Sequence, residues 1–168
     1  LRDGFARLRR GLPQEQHMQL AFRAAPGIGP NALALPGGTI VMTDEMVQLV
    51  DSNTDVLTAV LAHEMGHLQH RHGMRMLVQV MLLGTVSSVL LGDFSTVLAG
   101  GAALVGQSHY SRQAEREADA AAVRILRAGG ISPAAMVTLV DKLAEKRRAS
   151  KAPAQSDEKN GKDGKDEK

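Results

Sequence analysis

Residues 53–73 read NTDVLTAVLAHEMGHLQHRHG and contain the strongest helix signal of the chain. It opens on Asn-Thr-Asp, which supplies two capping side chains and an acidic residue for the first turn of a helix. The apolar residues that follow predict a packed helix that runs to about His72 and ends at Gly73.

The chemistry of this helix lies in residues 63–67, His-Glu-Met-Gly-His. Positions four apart share a helix face, so His63 and His67 can both reach one zinc ion at about 2.0–2.1 Å. Glu64 lies beside that ion, where it can take a proton from a water whose pKa zinc lowers to about 7. The motif is short enough to arise by chance, and an exposed polar helix face is the alternative interpretation.

A catalytic zinc ion needs a third protein ligand. Metzincins have a histidine six residues after the second motif histidine, but Gly73 occupies that position and excludes this class. His70 lies about two helical turns from His63 and is too far along the axis to share the ion. We therefore expect His70 and His72 to support the site from outside or to lie on the surface.

Glu115 is the better candidate for the third ligand. Asp119 follows it by one helical turn and could accept the N–H of a ligand imidazole, and the small side chain of Ala118 permits close helix packing. Glu117 is expected on the opposite side of this helix. An ordinary solvated helix face, rich in glutamate and arginine, is the alternative.

The order of these motifs resembles one family of gluzincin peptidases. HExxH followed by Ser-Arg-x-x-Glu-x-x-Ala-Asp at 111–119 is similar to the family of the bacterial heat-shock protease HtpX and the eukaryotic CAAX prenyl protease. Residues 31–40, NALALPGGTI, are similar to the NAFALPGG element of that family. The resemblance covers about residues 30–145 and implies one zinc ion per chain. It implies that His63, His67 and Glu115 are the zinc ligands, that Glu64 is the general base, and that Asp119 supports a ligand.

We expect a mainly helical α+β fold, a minimal gluzincin core over residues 1–149 in which the two motif helices lie beside a small sheet. Residues 39–43 are predicted to form an edge strand at the cleft. Its free edge could pair with an extended substrate backbone, although a plain core strand is the alternative. The residues of this predicted substrate edge are Gly38, Thr39, Ile40, Val41 and Met42.

Two further segments have distinctive compositions. Residues 76–106 are strongly apolar and predict a helical hairpin that packs on the active-site helices, or else dips into a membrane or binds a partner. The run 76–91 is shorter than the roughly 20 residues that span a bilayer. Residues 150–168 form a charged tail that is predicted to be disordered.

Composition excludes several function classes. The chain has 168 residues and no cysteine, so disulfides, thiolate metal sites and cysteine nucleophiles are excluded. Three phenylalanines and one tyrosine are too few for a base-stacking surface, and a net charge of +2 indicates no nucleic-acid partner. The core must be aliphatic and rich in methionine.

The expected function is zinc-dependent endopeptidase activity on extended protein segments. As the resemblance implies, the protein would act in quality control at a membrane, with the bacterial inner membrane favoured and the side unresolved. A residue that stabilises the oxyanion is not obvious, and the candidates are His109, Tyr110 and Arg112. Tyr110 could equally close a helix–hairpin junction. The rival functions are a non-catalytic zinc-binding chaperone or assembly factor, and a latent protease with a blocked substrate edge.

Overall fold

Nine elements make up the part of the chain that the computed structural model describes, residues 1–10, 12, 17–91 and 110–151. The helices are α1 (Arg2–Arg9), α2 (Asp44–Leu49), α3 (Thr54–Gln69), α4 (His72–Leu91), α5 (Arg112–Ala128) and α6 (Ala134–Lys151). The strands are β1 (Gln19–Arg23), β2 (Ala32–Ala34) and β3 (Thr39–Thr43). The mainly helical α+β fold predicted from the sequence is confirmed.

Helix α3 is the central helix of the fold. The side-chain oxygen of Asn53 accepts hydrogen bonds from the backbone N–H groups of Asp55 and Val56 at 3.1 and 3.2 Å, which confirms the predicted cap. Every residue from Val56 to Ala62 is buried. Because α3 packs against α5, α6 and β2, it holds the HExxH motif at a fixed place in the core.

The end of α3 differs from the prediction. The helix stops at Gln69 rather than near His72, and Arg71 adopts a φ of 53°, in the left-handed region that most residues avoid. The next helix, α4, then begins at His72. This break separates His72 from the regular face pattern of α3.

Helix α5 carries the second motif and packs closely on α3. The Ser111 hydroxyl caps it by accepting from the Ala114 N–H at 3.2 Å, and Gly130 at φ 65° follows its end. At the crossing, a Cβ on Gly66 would lie 2.6 Å from the carbonyl oxygen of Ala118. The absence of a side chain at Gly66 therefore allows the two helices to approach.

The sheet has the order β1-β3-β2, which places β3 in the centre. Strand β3 pairs in parallel with β1 and antiparallel with β2, with Gln19 opposite Thr39 and Ala34 opposite Ile40. The predicted edge strand is therefore wrong in its position. Its backbone groups are used on both sides by neighbouring strands, so the predicted substrate edge offers no free edge. The residues concerned are Gly38, Thr39, Ile40, Val41 and Met42.

The edge beside α3 belongs to β2 instead. The Leu35 N–H donates to the Thr39 carbonyl at 2.8 Å, and the Thr43 N–H donates to the Asn31 carbonyl at 3.0 Å. In an antiparallel pair the alternate residues face outward, so the backbone groups of Ala32 and Ala34 point away from β3.

The core between α3, α5, α1 and the sheet is aliphatic and contains methionine, as composition predicted. Helix α1 contributes Leu8 to it and lies against α3. The largest side chains that are fully buried among the described residues include Leu8, Ile40, Met42, Leu61, Met65 and Leu126.

The predicted hairpin and tail are only partly covered by the structure. Residues 76–91 continue as one helix, α4, and 92–106 lie outside the described residues. Across the described ranges, no helix combines the length and the apolar character needed to cross a membrane. Helix α6 extends to Lys151, and the rest of the predicted tail, 152–168, lies outside the described residues.

Candidate metal centre

Two histidines of α3 face each other across a single helical turn. The Nε2 atoms of His63 and His67 are 3.0 Å apart. His67 is buried, with 2 % of its surface exposed, whereas the side chain of His63 is 22 % exposed. The predicted pair therefore forms, with one member deep in the molecule and the other at the opening of the site.

Glu115 of α5 completes this cluster. Its Oε2 lies 3.4 Å from His63 Nε2, and its Oε1 lies 3.9 Å from His67 Nε2. Candidate ligand atoms of the three residues all fall within 4.8 Å of one another. The two motif helices therefore bring together the three residues proposed as ligands.

The hydrogen-bond partners around this cluster fit a cation. Asp119 Oδ1 is 2.9 Å from His63 Nδ1, and an ionised carboxylate only accepts, so the His63 hydrogen lies on Nδ1. His63 Nε2 then presents a lone pair toward the carboxylate oxygens of Glu115. A metal ion would satisfy such converging lone pairs, and two imidazoles with one carboxylate form a donor set that zinc accepts in catalytic sites.

The environment keeps His67 neutral. Burial, together with the neighbouring imidazoles of His63, His72 and His70, lowers the pKa of His67 to about 3. A neutral imidazole is the form that binds a metal ion.

Glu64 is a buried carboxyl beside the cluster. Burial and, to a smaller extent, the charge of Glu115 raise its pKa to about 8, against the opposing effect of a hydrogen bond from the Ala34 backbone N–H. That N–H belongs to the outward-facing side of β2. The structure therefore joins the sheet edge directly to the predicted general base.

Of the three oxyanion candidates, Tyr110 lies in the site. Its ring stacks on His67, with centroids 4.2 Å apart and planes at 22°. Burial raises the pKa of Tyr110, and the charges of Glu64 and Glu115 raise it further. Arg112 is exposed in the first turn of α5, and His109 lies outside the described residues.

A second cluster was not predicted from the sequence. His72 Nδ1 is 3.0 Å from His67 Nδ1, and His72 Nε2 is 3.1 Å from Glu117 Oε2. Glu117, which was expected on the opposite side of its helix, reaches the site through His72, because the start of α4 folds back against it. The sequence contained one signal, the additional histidine His72, but its position depends on the break at Arg71.

A cleft lies next to the histidines on the sheet side. It encloses about 370 Å³ and is bounded by His67, by Ala34 of β2 and by Gly73 of α4, with Met18 and Met74 among its apolar walls. The cluster is therefore reachable from a surface that is bounded by the outward face of β2.

Comparisons with known proteins agree with this geometry. The model of a family described as Peptidase family M48 matches residues 9–159. The β-barrel assembly-enhancing protease of Escherichia coli (strain K12) is 31% identical over 137 residues, which cover 73% of this chain and 28% of that protein. The protein of the same name from Yersinia pestis is 32% identical over 139 residues, with the same coverage.

A shorter relative matches as well. The metalloprotease LoiP of Escherichia coli (strain K12) is 32% identical over 123 residues, which cover 68% of this chain and 48% of that protein. The chain thus spans less than half the length of these curated relatives.

Proposed function

The chain belongs to peptidase family M48, and from this premise we propose that it is a zinc-dependent endopeptidase. The observation that carries the proposal is the convergence of His63, His67 and Glu115 on one point, with the buried carboxyl of Glu64 beside it. Two imidazoles and one carboxylate favour zinc, and they leave a fourth position for water or substrate.

In this proposal, Glu64 moves the protons of the reaction. Zinc, when bound, would polarise the substrate carbonyl and make a water more acidic. Glu64 accepts a proton from that water while the water oxygen bonds to the scissile carbonyl carbon. Glu64 then gives this proton to the departing amine nitrogen when the C–N bond breaks. A cation next to Glu64 opposes the rise in its pKa, which keeps the carboxylate available as a base.

We assign substrate binding to the edge of β2 rather than to β3. The Ala32 N–H donates to the Asn31 side chain at 2.9 Å and the Ala34 N–H to Glu64, so the outward carbonyl groups of Ala32 and Ala34 are the groups proposed to pair with an extended chain. Such pairing recognises main chain more than side chains. The Ala34 N–H reaches Glu64, so a segment paired there would lie alongside the catalytic base. The neighbouring cleft would receive one of its side chains.

Tyr110 is the proposed oxyanion donor. Its ring is fixed on His67, and the charges of Glu64 and Glu115 act on its hydroxyl. A phenol with a raised pKa keeps its hydrogen and can donate it to a developing negative charge. Arg112 stays a second candidate for this role because it is the first residue of α5, the helix that carries Glu115.

The biological setting is also proposed. Relatives named β-barrel assembly-enhancing proteases favour protein quality control in the bacterial envelope. Membrane association through 76–106 is supported by exposed apolar side chains on α4, at Met74, Val78, Met81 and Leu82.

The proposal can be tested with unfolded casein as substrate. We expect the zinc-loaded protein to cleave it, a chelator to stop cleavage, and Glu64→Gln to lose at least about 100-fold in rate, the lower range for a lost general base. Glu145→Gln, which changes an exposed carboxyl on α6, is the matched control and should cleave normally. Stoichiometric zinc without cleavage under any condition would instead support the chaperone or the latent protease.

A further inference from the structure

A chain of polar contacts leads from the site to the surface through α4. His67 Nδ1 lies 3.0 Å from His72 Nδ1, and His72 Nε2 lies 3.1 Å from Glu117 Oε2. Glu117 is held in turn by Gln113, whose Nε2 donates to Glu117 Oε1 at 3.0 Å. His72 is 5 % exposed, so its nitrogens depend on these partners rather than on water.

The positions of the hydrogens in this series of contacts follow from Glu117, the residue at its surface end. An ionised Glu117 only accepts, so the Nε2 of a neutral His72 carries the hydrogen. His72 Nδ1 then has a lone pair and must accept from His67 Nδ1. His67 therefore holds its hydrogen on Nδ1 and presents a bare Nε2 toward His63 and Glu115.

We propose that His72 and Glu117 are positioning residues that fix the ring and the hydrogen of His67, so that its Nε2 is ready for the metal ion. This inference rests on the proposed function, because it takes His67 to be a ligand. Asp119 performs the same task for His63 in one step. His67 lies deeper and reaches a carboxylate only through His72, which the break at Arg71 places beside His67.

Side-chain atoms of this same region could also form a second metal site, which the proposed hydrogen order excludes. Candidate ligand atoms of His70, His72 and Glu117 lie within 4.8 Å of one another. A metal ion on His72 Nε2 would displace the hydrogen given to Glu117. The hydrogen of His72 would then lie on Nδ1, facing the hydrogen of His67 at a nitrogen separation of 3.0 Å.

The test measures zinc affinity by chelator competition in the full chain. We expect His72→Ala and Glu117→Ala each to weaken zinc binding by about 10–100-fold, the usual effect of losing a group that orients a ligand. The double variant should bind about as well as His72→Ala alone, because Glu117 acts through His72. The exposed-site control Glu145→Ala should bind like the wild type, and His70→Ala should bind the same number of zinc ions as the wild type.

A second measurement detects directly which ring nitrogens of His67 and His72 carry a hydrogen. Nitrogen-15 spectra of the zinc-loaded protein should show His67 protonated on Nδ1 and His72 protonated on Nε2, with the second signal changed in Glu117→Ala. Circular dichroism checks that each variant is folded. If His72→Ala does not fold, Glu117→Ala still decides, because that side chain is only part-buried.

Three outcomes would overturn the inference: wild-type zinc affinity in folded Glu117→Ala, additive losses in the double variant, or a second zinc ion that His70→Ala removes. Failure of the proposed function is visible separately, as zinc-loaded wild type that does not cleave casein. Failure of the His67 assignment is visible as wild-type zinc affinity in His67→Ala.

Discussion

Glu64 shows how one buried side chain couples the site to stability. In the unfolded chain its carboxyl ionises near the ordinary value of 4.5, whereas in the folded, metal-free chain burial raises its pKa to about 8. The unfolded state therefore loses its proton first as pH rises. The stability that Glu64 contributes is complete below pH 4.5 and is lost progressively toward pH 8.

Replacing Glu64 by glutamine should remove this loss. We expect metal-free Glu64→Gln to become more stable than the metal-free wild type as pH rises from 6.5 to 8, by at most about 1.4 kcal/mol per pH unit. His67, whose pKa is lowered, stays neutral in both states over most of this range and adds little. Urea unfolding at several pH values measures the difference. Parallel profiles for the two proteins would contradict the prediction, and Glu145→Gln should follow the wild type.

At the scale of helices and strands, the contact between α3 and α5 depends on a missing side chain. Gly66→Ala would place a Cβ 2.6 Å from the Ala118 carbonyl oxygen and 2.9 Å from its Cα, both backbone atoms that cannot rotate away. Moving α5 outward is the way to relieve this clash, and it carries Glu115 away from the histidines.

We therefore expect Gly66→Ala to lose stability and zinc affinity together. Overpacking of this kind costs about 1–3 kcal/mol, which urea unfolding would resolve. Gly27→Ala is the matched control, since nothing lies within 4 Å of a Cβ there. A Gly66→Ala protein with wild-type stability and zinc affinity would show that the helices do not need this approach.

The sequence predicted those elements whose signals are local. The capping side chain of Asn53 acts within one turn, and α3 starts where the sequence placed it. Strand β3 was located but given the wrong neighbours, because pairing with β1 and β2 depends on segments distant in the chain.

The part of the site that the sequence missed has the same physical cause. His63 and His67 share a helix face by simple periodicity, and the spacing of Glu115 and Asp119 belongs to a single helix. The contact of His72 with Glu117 requires a left-handed backbone conformation at Arg71. The sequence has no glycine or asparagine at this position that would predict such a conformation.

At the scale of the whole molecule, the candidate metal centre joins segments far apart in the sequence. Strand β2 supplies the Ala34 N–H, α3 supplies the histidines and Glu64, and α5 supplies Glu115. In the unfolded chain these groups have no common geometry, so a metal ion that binds them together binds the folded state in preference. Such binding must raise the stability of the fold.

We expect zinc at about 100 times its Kd to raise the free energy of unfolding by about 2.7 kcal/mol, and a chelator to reverse the gain. Glu115→Ala should lose most of this gain, because it removes the one proposed ligand that α5 contributes and with it the link between the helices. Thermal unfolding with and without zinc measures the effect, with Glu145→Ala as the control that keeps it. An equal zinc shift in Glu115→Ala and in the wild type would mean that zinc binds within α3 alone, and the assignment of Glu115 as third ligand would then fail.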